Sequence, residues 1–382
     1  MRRGAVEAAP AARARQVRCA AAALLLLAAC ESTPNRLDTG SDVDRYSRLD
    51  DPQGSAAYAS AMAALARGDR AAALVGLRKT VELCPEHVRA HRLYQDVARE
   101  LGGEAAAAMM AYYRQLPVPE ARAGGSPVPA YLQARLADTS YAQGNALAEL
   151  LRRHPGFAWG HLSAGRVSRR QGRLLQALDS FSSASTYDPR LPEARLERGQ
   201  VLAELGRYEE SAREYEAYLG LAPDDDASTR AYIDLLIYHL SRLDRALELL
   251  RPMLAAAPKD VELNMQMAAI DWLGKRPRQA LDGYLEILVD HPTHARALLN
   301  IGLLYYEVLP RDAEAQRRLW PQAAIAFQWF LQSDEPQDGH EQFERTVAVP
   351  YRLARIAEVL GAAATQAPTG PRSLEVLRWR DS

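Results

Sequence analysis

The chain reads as an all-α stack of paired helices, and three observations predict it. Small residues recur at a spacing of about 34: Gly165, Gly199, Ala268 and Gly302 fall on one lattice, with Asp234 the intervening member. Ala177, Ser211, Ala246 and Ala280 fall on a second, give or take one residue, and Pro189, Pro223, Pro258 and Pro292 close the units. A small side chain at a lattice point lets two helices cross closely, because a larger one pushes the backbones apart. Each proline follows the second helix of a pair. Its missing N–H and its restriction of the preceding residue stop the helix there.

From the N-terminus, residues 1–29 carry five Arg and then a short apolar stretch, Ala20 to Ala29, before Leu27-Ala28-Ala29-Cys30 ends the run. This layout resembles the signal peptide and lipobox of bacterial lipoproteins. The resemblance implies a cut before Cys30, diacylation of the Cys30 sulfur and attachment to a membrane in the cell envelope. Glu31, rather than Asp, after that cysteine favours the outer membrane in a two-membrane cell. The apolar run is too short to span a bilayer, which takes about 20 residues. Residues 30–53 form a tether of turn formers and alternating charge without an apolar period.

From residue 54 the helical units follow. Units one and two occupy 54–117, with the units at 54–87 and 88–117. A Pro/Gly-rich hinge at 118–129 precedes units three to eight at 130–334: 130–157, 158–191, 192–226, 227–260, 261–294 and 295–334. Unit three is expected to have a short second helix ending at His154-Pro155, and unit eight to carry an insertion from Glu307 to Pro321 between its helices. Residues 335–361 hold an insertion and a capping helix, Tyr351 to Gly361. Such a helix covers apolar surface that the last unit would otherwise expose. Residues 362–382 are a linker and an apolar-rich tail, Ser373 to Trp379.

The period, the small residues and the terminal prolines together resemble the tetratricopeptide repeat, TPR. The segment Pro192 to Asp225 carries the pattern best, through Gly199, Leu202, Leu205-Gly206-Arg207-Tyr208, Ser211, Tyr215, Tyr218, Leu221 and Pro223. The stretch Ala158 to Leu191 follows with Gly165, Gly172, Ala177, Phe181, Ala184 and Pro189. The resemblance implies a right-handed TPR superhelix of about eight helix pairs with a C-terminal capping helix. Asp234 departs from the pattern, which puts the helix crossing of unit six in question.

Composition narrows the functions. The formal net charge is −1 over 382 residues, and it falls to −5 without residues 1–29. No basic stripe suits nucleic acid. Cys84 is the only cysteine beyond the export segment, so no internal disulfide is available. The sequence contains no G-x-S-x-G, H-E-x-x-H, phosphate-loop or C-x-x-C motif, and it is read as a non-enzyme with no cofactor and no metal. His87 and His91 lie four apart but lack a third ligand in sequence. Asp224-Asp225-Asp226 lacks the spacing of a calcium loop and reads as a turn with a helix N-cap.

In the TPR family the first helix of each unit lines the concave groove, through its second, fifth, ninth and twelfth positions. Carried over by resemblance, these positions are Arg89, Arg92, Asp96 and Arg99 in unit two, and Trp159, Leu162, Arg166 and Arg169 in unit four. In units six to eight they include Leu235 and Tyr238, Met265 and Trp272, Leu303 and Tyr306. Tyr238, Trp272 and Tyr306 are expected to stack as one aromatic ladder, the kind of surface that anchors a partner. The tail, through Leu374, Val376, Leu377 and Trp379, is expected to occupy that trough when no partner is bound. The expected function is a lipid-anchored periplasmic protein-binding scaffold serving pilus, secretion or envelope assembly, with a protein or peptide partner. The alternative is a cell-wall glycan-binding or cell-wall-enzyme accessory protein.

Overall fold

The computed structural model describes residues 46, 49–117, 125–333, 339–366 and 373–378. Cys30, the export segment and most of the tether lie outside the described residues, as do 118–124 of the hinge. The described residues are all-helical, and the helices follow one another in antiparallel pairs. They fall into two compact units, one ending at Asp225 and the other starting at Asp226. Each is taken by itself below.

In the N-terminal unit, α1 (Pro52–Ala66) pairs with α2 (Arg70–Leu83), α3 (Val88–Leu101) with α4 (Gly103–Arg114), and α5 (Val128–Ala134) with α6 (Ser140–Arg153). Then α7 (Ala158–Arg170) pairs with α8 (Leu174–Tyr187), and α9 (Pro192–Glu204) with α10 (Tyr208–Leu219). Asp51, Asp69 and Thr139 cap α1, α2 and α6, each side chain accepting from the backbone N–H three residues on. That satisfies one of the donors a helix start leaves open.

The crossing within each pair is where the small residues act. A Cβ at Gly165 would stand 2.4 Å from the Phe181 ring of α8, which is closer than atoms can approach. Gly199 is looser: its Cβ would meet Glu214 and Tyr215 at 3.4 Å. The short second helix expected in unit three proves to be a short first helix. The second, α6, runs a full 14 residues to Arg153, whereas α5 has only seven. Pro127 and Pro129 fix where α5 begins, and it stops after barely two turns.

The Pro/Gly-rich piece does not divide the core. One apolar cluster runs from Tyr58 to Leu202 and includes Tyr113, Val128 and Tyr131 from both sides of it. Gln133 donates to the Tyr113 and Leu116 carbonyls, Gln95 to Leu132 O, and Arg99 to Arg135 O. These side chains rejoin units two and three, so the compact units separate at 225/226 rather than at the expected hinge.

In the C-terminal unit, α11 (Asp226–Asp234) continues as a π-turn, Leu235–His239, and pairs with α12 (Leu243–Ala256). Next, α13 (Val261–Leu273) pairs with α14 (Pro277–Asp290). Then α15 (Ala295–Leu303), extended by a π-turn at Leu304–Val308, pairs with α16 (Ala313–Leu331). Gly302 repeats the tight crossing, with Phe327 at 2.4 Å from its would-be Cβ. The pair at Asp234 forms despite the carboxylate, with the π-turn following it directly.

The insertion expected at Glu307 to Pro321 is largely helix. Asp312 caps α16 by accepting from Ala315 N at 2.8 Å, and the helix carries Pro321 in its interior. The capping helix α18 (Val349–Leu360) is preceded by α17 (Gly339–Phe343) and a third π-turn, Glu344–Ala348. It ends at Gly361, whose φ of 90° suits a residue without a Cβ. The tail forms a 3-10 turn at Leu374–Leu377 against α14 and α16. Leu377 is fully buried there, and the Tyr305 hydroxyl donates to its carbonyl at 2.6 Å. The described part of the tail thus packs on the second helices α14 and α16 and accepts from Tyr305 of the π-turn that extends the first helix α15.

Candidate functional site

The first helices of the two units present different chemistry. In the N-terminal unit α3, α7 and α9 offer arginines and acids to one another. Arg166 Nε donates to Glu197 Oε1 at 2.5 Å, and Arg169 reaches Glu197 at 3.1 Å, Gln200 at 2.7 Å and Glu204 at 2.5 Å. Arg135, at the C-terminal edge of α5, donates to Gln95 at 2.7 Å and to Asp96 at 2.8 Å. Burial works to raise the Glu197 carboxyl, but Arg166 and Arg169 hold it below the ordinary carboxylate range. Arg166 and Arg169, predicted from the sequence to bind a partner, therefore already grip α9.

The acids of α9 were not singled out from the sequence. The period reaches only part of this set: Glu193 lies one repeat beyond Trp159, and Gln200, an amide that Arg169 also reaches, one repeat beyond Arg166. Deeper in the same face, the Arg89 and Arg92 guanidiniums lie over the fully buried Trp159 ring, at 5.9 and 4.8 Å from its centroid. Both approach Glu193, Arg89 at 3.3 Å and Arg92 at 3.9 Å. Next to them the Tyr131 and Ser163 hydroxyls meet at 3.1 Å.

His87 and His91 form no metal pair. His87 Nδ1 caps α3 by accepting from Ala90 N at 3.0 Å, while the buried His91 joins the Tyr113 hydroxyl at 2.8 Å and Pro85 O at 3.0 Å. Burial lowers the His91 pKa to about 4, so its ring stays neutral. Among the described residues no group of His, Cys, Asp and Glu could hold a metal ion, and no helix is long and apolar enough to cross a membrane.

In the C-terminal unit the expected ladder resolves into separate roles. Leu235 and Met265 are buried and belong to the packing. Leu303, Trp272 and Tyr306 are half-buried, and Tyr238 is 38 % exposed. The rings do not stack on one another. Trp272 meets Tyr284 of α14 edge-on at 6.5 Å, whereas Tyr306 stacks on Trp320 of α16 at 4.9 Å and meets Phe327 at 6.1 Å. Each of these two rings leans on the second helix of its own pair, because that is the nearest apolar surface. Rings one repeat apart therefore share a face without touching.

Polar groups bridge the same first helices. Gln266 donates to Asp234 at 2.8 Å, Arg230 pairs with Asp260 at 2.9 and 3.0 Å, and Arg296 pairs with Glu262 at 2.7 Å. Burial pushes the Asp234 carboxyl up to about 7, with Glu262 adding to the rise and Gln266 opposing it. Burial raises the Tyr238 hydroxyl well above its ordinary value.

These paired helices with glycine-tight crossings define a class, the helical repeat scaffold. Residues 162–226 and 196–261 match the family model for the tetratricopeptide repeat, and this segment of the chain is made of tetratricopeptide repeats. Several solved structures are similar to the chain. One is YrrB, described as a TPR protein with an unusual peptide-binding site, at 15% identity and a TM-score of 0.37, covering 56% of this chain and 93% of that one. Another is MamA from Desulfovibrio magneticus RS-1, at 18% identity and a TM-score of 0.40, covering 48% and 97%. A third is a tetratricopeptide repeat protein from Parabacteroides merdae, at 11% identity and a TM-score of 0.37, covering 82% and 99%. No curated protein matches the chain.

Proposed function

We propose that this chain is a lipid-anchored adaptor of the bacterial cell envelope that holds a protein or peptide partner on the first-helix faces of its repeats. One observation carries the binding half of this reading. Trp272, Leu303 and Tyr306 are only half-buried and Tyr238 is 38 % exposed, all on first helices or their π-turns. Aromatic rings held rigidly at a surface offer large contact area at low entropy cost. The lipobox ending at Cys30 supports the anchoring half. Leu235 and Met265 drop out of the contact set because the core already uses them.

Trp272→Ala tests this reading. Its contact with Tyr284 is a single edge-on ring contact, so the fold should survive the change. Retention of envelope proteins on the immobilised mature chain is expected to weaken by about 2 kcal/mol, as for an interface hot spot. A fall in melting temperature with retention unchanged would make the ring a packing residue and sink the groove. Anchoring is tested separately: the membrane form should have an N-terminal diacylated Cys30 by mass spectrometry.

A further inference from the structure

The turn near the chain's end, Leu374–Leu377, belongs to no helix pair, yet it is seated on two of them. It lies against α14 and α16, the second helices of successive pairs. Residues 367–372 join it to the preceding turn, Ala362–Thr365. Its two faces differ. Leu377 is fully buried in the apolar cluster of the C-terminal unit, and Leu374 and Val376 pack partly against the same cluster. Ser373, Glu375 and Arg378 are exposed.

Among the described residues one hydrogen bond joins this segment to the body, from the Tyr305 hydroxyl to the Leu377 carbonyl at 2.6 Å. The other polar contacts are internal. Val376 N donates to Ser373 O at 3.3 Å, and Arg378 pairs with Glu375 at 3.3 Å, both side chains being mostly exposed.

The segment is therefore recognised in two ways. Burial of a leucine supplies most of the attraction. The tyrosine hydroxyl reads a main-chain carbonyl, a group that every residue carries. Nothing on the body grips the exposed side chains, so the seat sets no requirement at those positions. A segment of another protein with the same three apolar residues would satisfy it equally. A ligand on a short tether acts at roughly millimolar effective concentration, so the tail competes with such a segment without excluding it.

We propose that the seat on α14 and α16 is a second partner site, held by the chain's own tail until a segment with apolar residues in the places of Leu374, Val376 and Leu377 displaces it. The site uses second helices and does not depend on the first-helix surface proposed above.

The test uses the mature chain and a fluorescent peptide of residues 372–379. Leu377→Asp in the chain releases the tail, because a carboxylate does not enter an apolar seat. The peptide should bind this variant about tenfold or more tightly than the wild-type chain, whose own tail competes. A peptide carrying Leu377→Asp should not bind. One carrying Ser373→Ala, Glu375→Ala and Arg378→Ala should bind as well as the original. Adding Tyr305→Phe to the released chain should weaken binding several-fold. If Leu377→Asp does not fold, Leu374→Asp with Val376→Asp releases the tail from half-buried positions.

Equal binding to the wild-type and released chains, binding to neither, or dependence on the exposed positions would overturn the proposal. Loss of the fold in both released chains would do the same, by making the tail a fixed part of the core. A wild-type dimer in sedimentation that Leu377→Asp dissolves would assign the seat to the tail of a second copy instead.

Discussion

The two units share a way of crossing helices and differ in what they show to solvent. Gly165 against Phe181 and Gly302 against Phe327 have the same geometry, each leaving 2.4 Å for a Cβ that is not there. Above those crossings the N-terminal unit ties α7 to α9 with Arg166–Glu197 and Arg169–Glu204 pairs. The C-terminal unit has comparable ties, Arg230–Asp260 and Arg296–Glu262, but also leaves Tyr238, Trp272 and Tyr306 at or near the surface and turns α11 and α15 through π-turns. A repeat therefore specifies its crossing tightly and its exposed face loosely. The crossing is a packing problem with one solution, whereas any side chain that reaches water or a partner suits the face.

The largest expected effect tests the shared part. Gly165→Ala and Gly302→Ala should each cost about 2 kcal/mol or more in denaturant unfolding, because the added Cβ drives into a fully buried Phe ring. Gly199→Ala is the control. Its Cβ meets neighbours at 3.4 Å, so the gain in helix propensity should leave stability level or slightly higher. Equal costs at all three glycines would show that the crossing is not what makes them small.

The second test separates the units by pH. Asp234 occupies the lattice point that is glycine at Gly165 and Gly302, and its carboxyl is raised to about 7 by burial. A raised pKa means that the folded state holds a proton the unfolded chain releases. This stabilisation is complete below the ordinary Asp value and is lost as pH rises through 7. The C-terminal unit should therefore lose stability progressively as pH rises from ~4 through ~7. Asp234→Asn keeps an acceptor for Gln266 and should flatten that slope and stabilise the unit at the alkaline end. A variant with the wild-type pH profile would assign the slope to another group.

The smallest effect concerns the end of the C-terminal unit. Tyr305→Phe removes the hydroxyl that donates to Leu377 O and should cost about 1 kcal/mol. Amide exchange at 374–377 should speed up, with little change at α13. Unchanged exchange would mean that burial of Leu377 alone holds the turn.

Much of the fold was legible because its signals are local or periodic. The prolines mark where second helices stop: α8 ends at Tyr187 before Pro189, α12 at Ala256 before Pro258, and α14 at Asp290 before Pro292. The Asp224–Asp226 run was readable as a turn opening a helix. Indeed α11 starts at Asp226, and the Tyr218 hydroxyl donates to Asp225 at 2.6 Å. The short α5 was not legible, since both helices of unit three carry apolar residues at similar spacing. Nor was the helical nature of 313–321. There Asp312 caps the start, and burial of Leu319, Trp320, Ala323 and Ala324 around Pro321 offsets the break that the proline suggests.

The candidate site was legible by position and not by role. Counting along the repeat put Arg166, Arg169, Trp272 and Tyr306 on first helices or their extensions, where they lie. It could not show that Glu197 takes up both arginines, or that Trp272 and Tyr306 lean on Tyr284 and Trp320. By itself the sequence determined the helix pairs, their period and the glycines at their crossings, because these follow from backbone sterics repeated every unit. Only the tertiary structure decided which arginines are satisfied, which rings stay exposed and where the tail lies. Those outcomes depend on the side chains of neighbouring helices, which a count along a single helix does not contain.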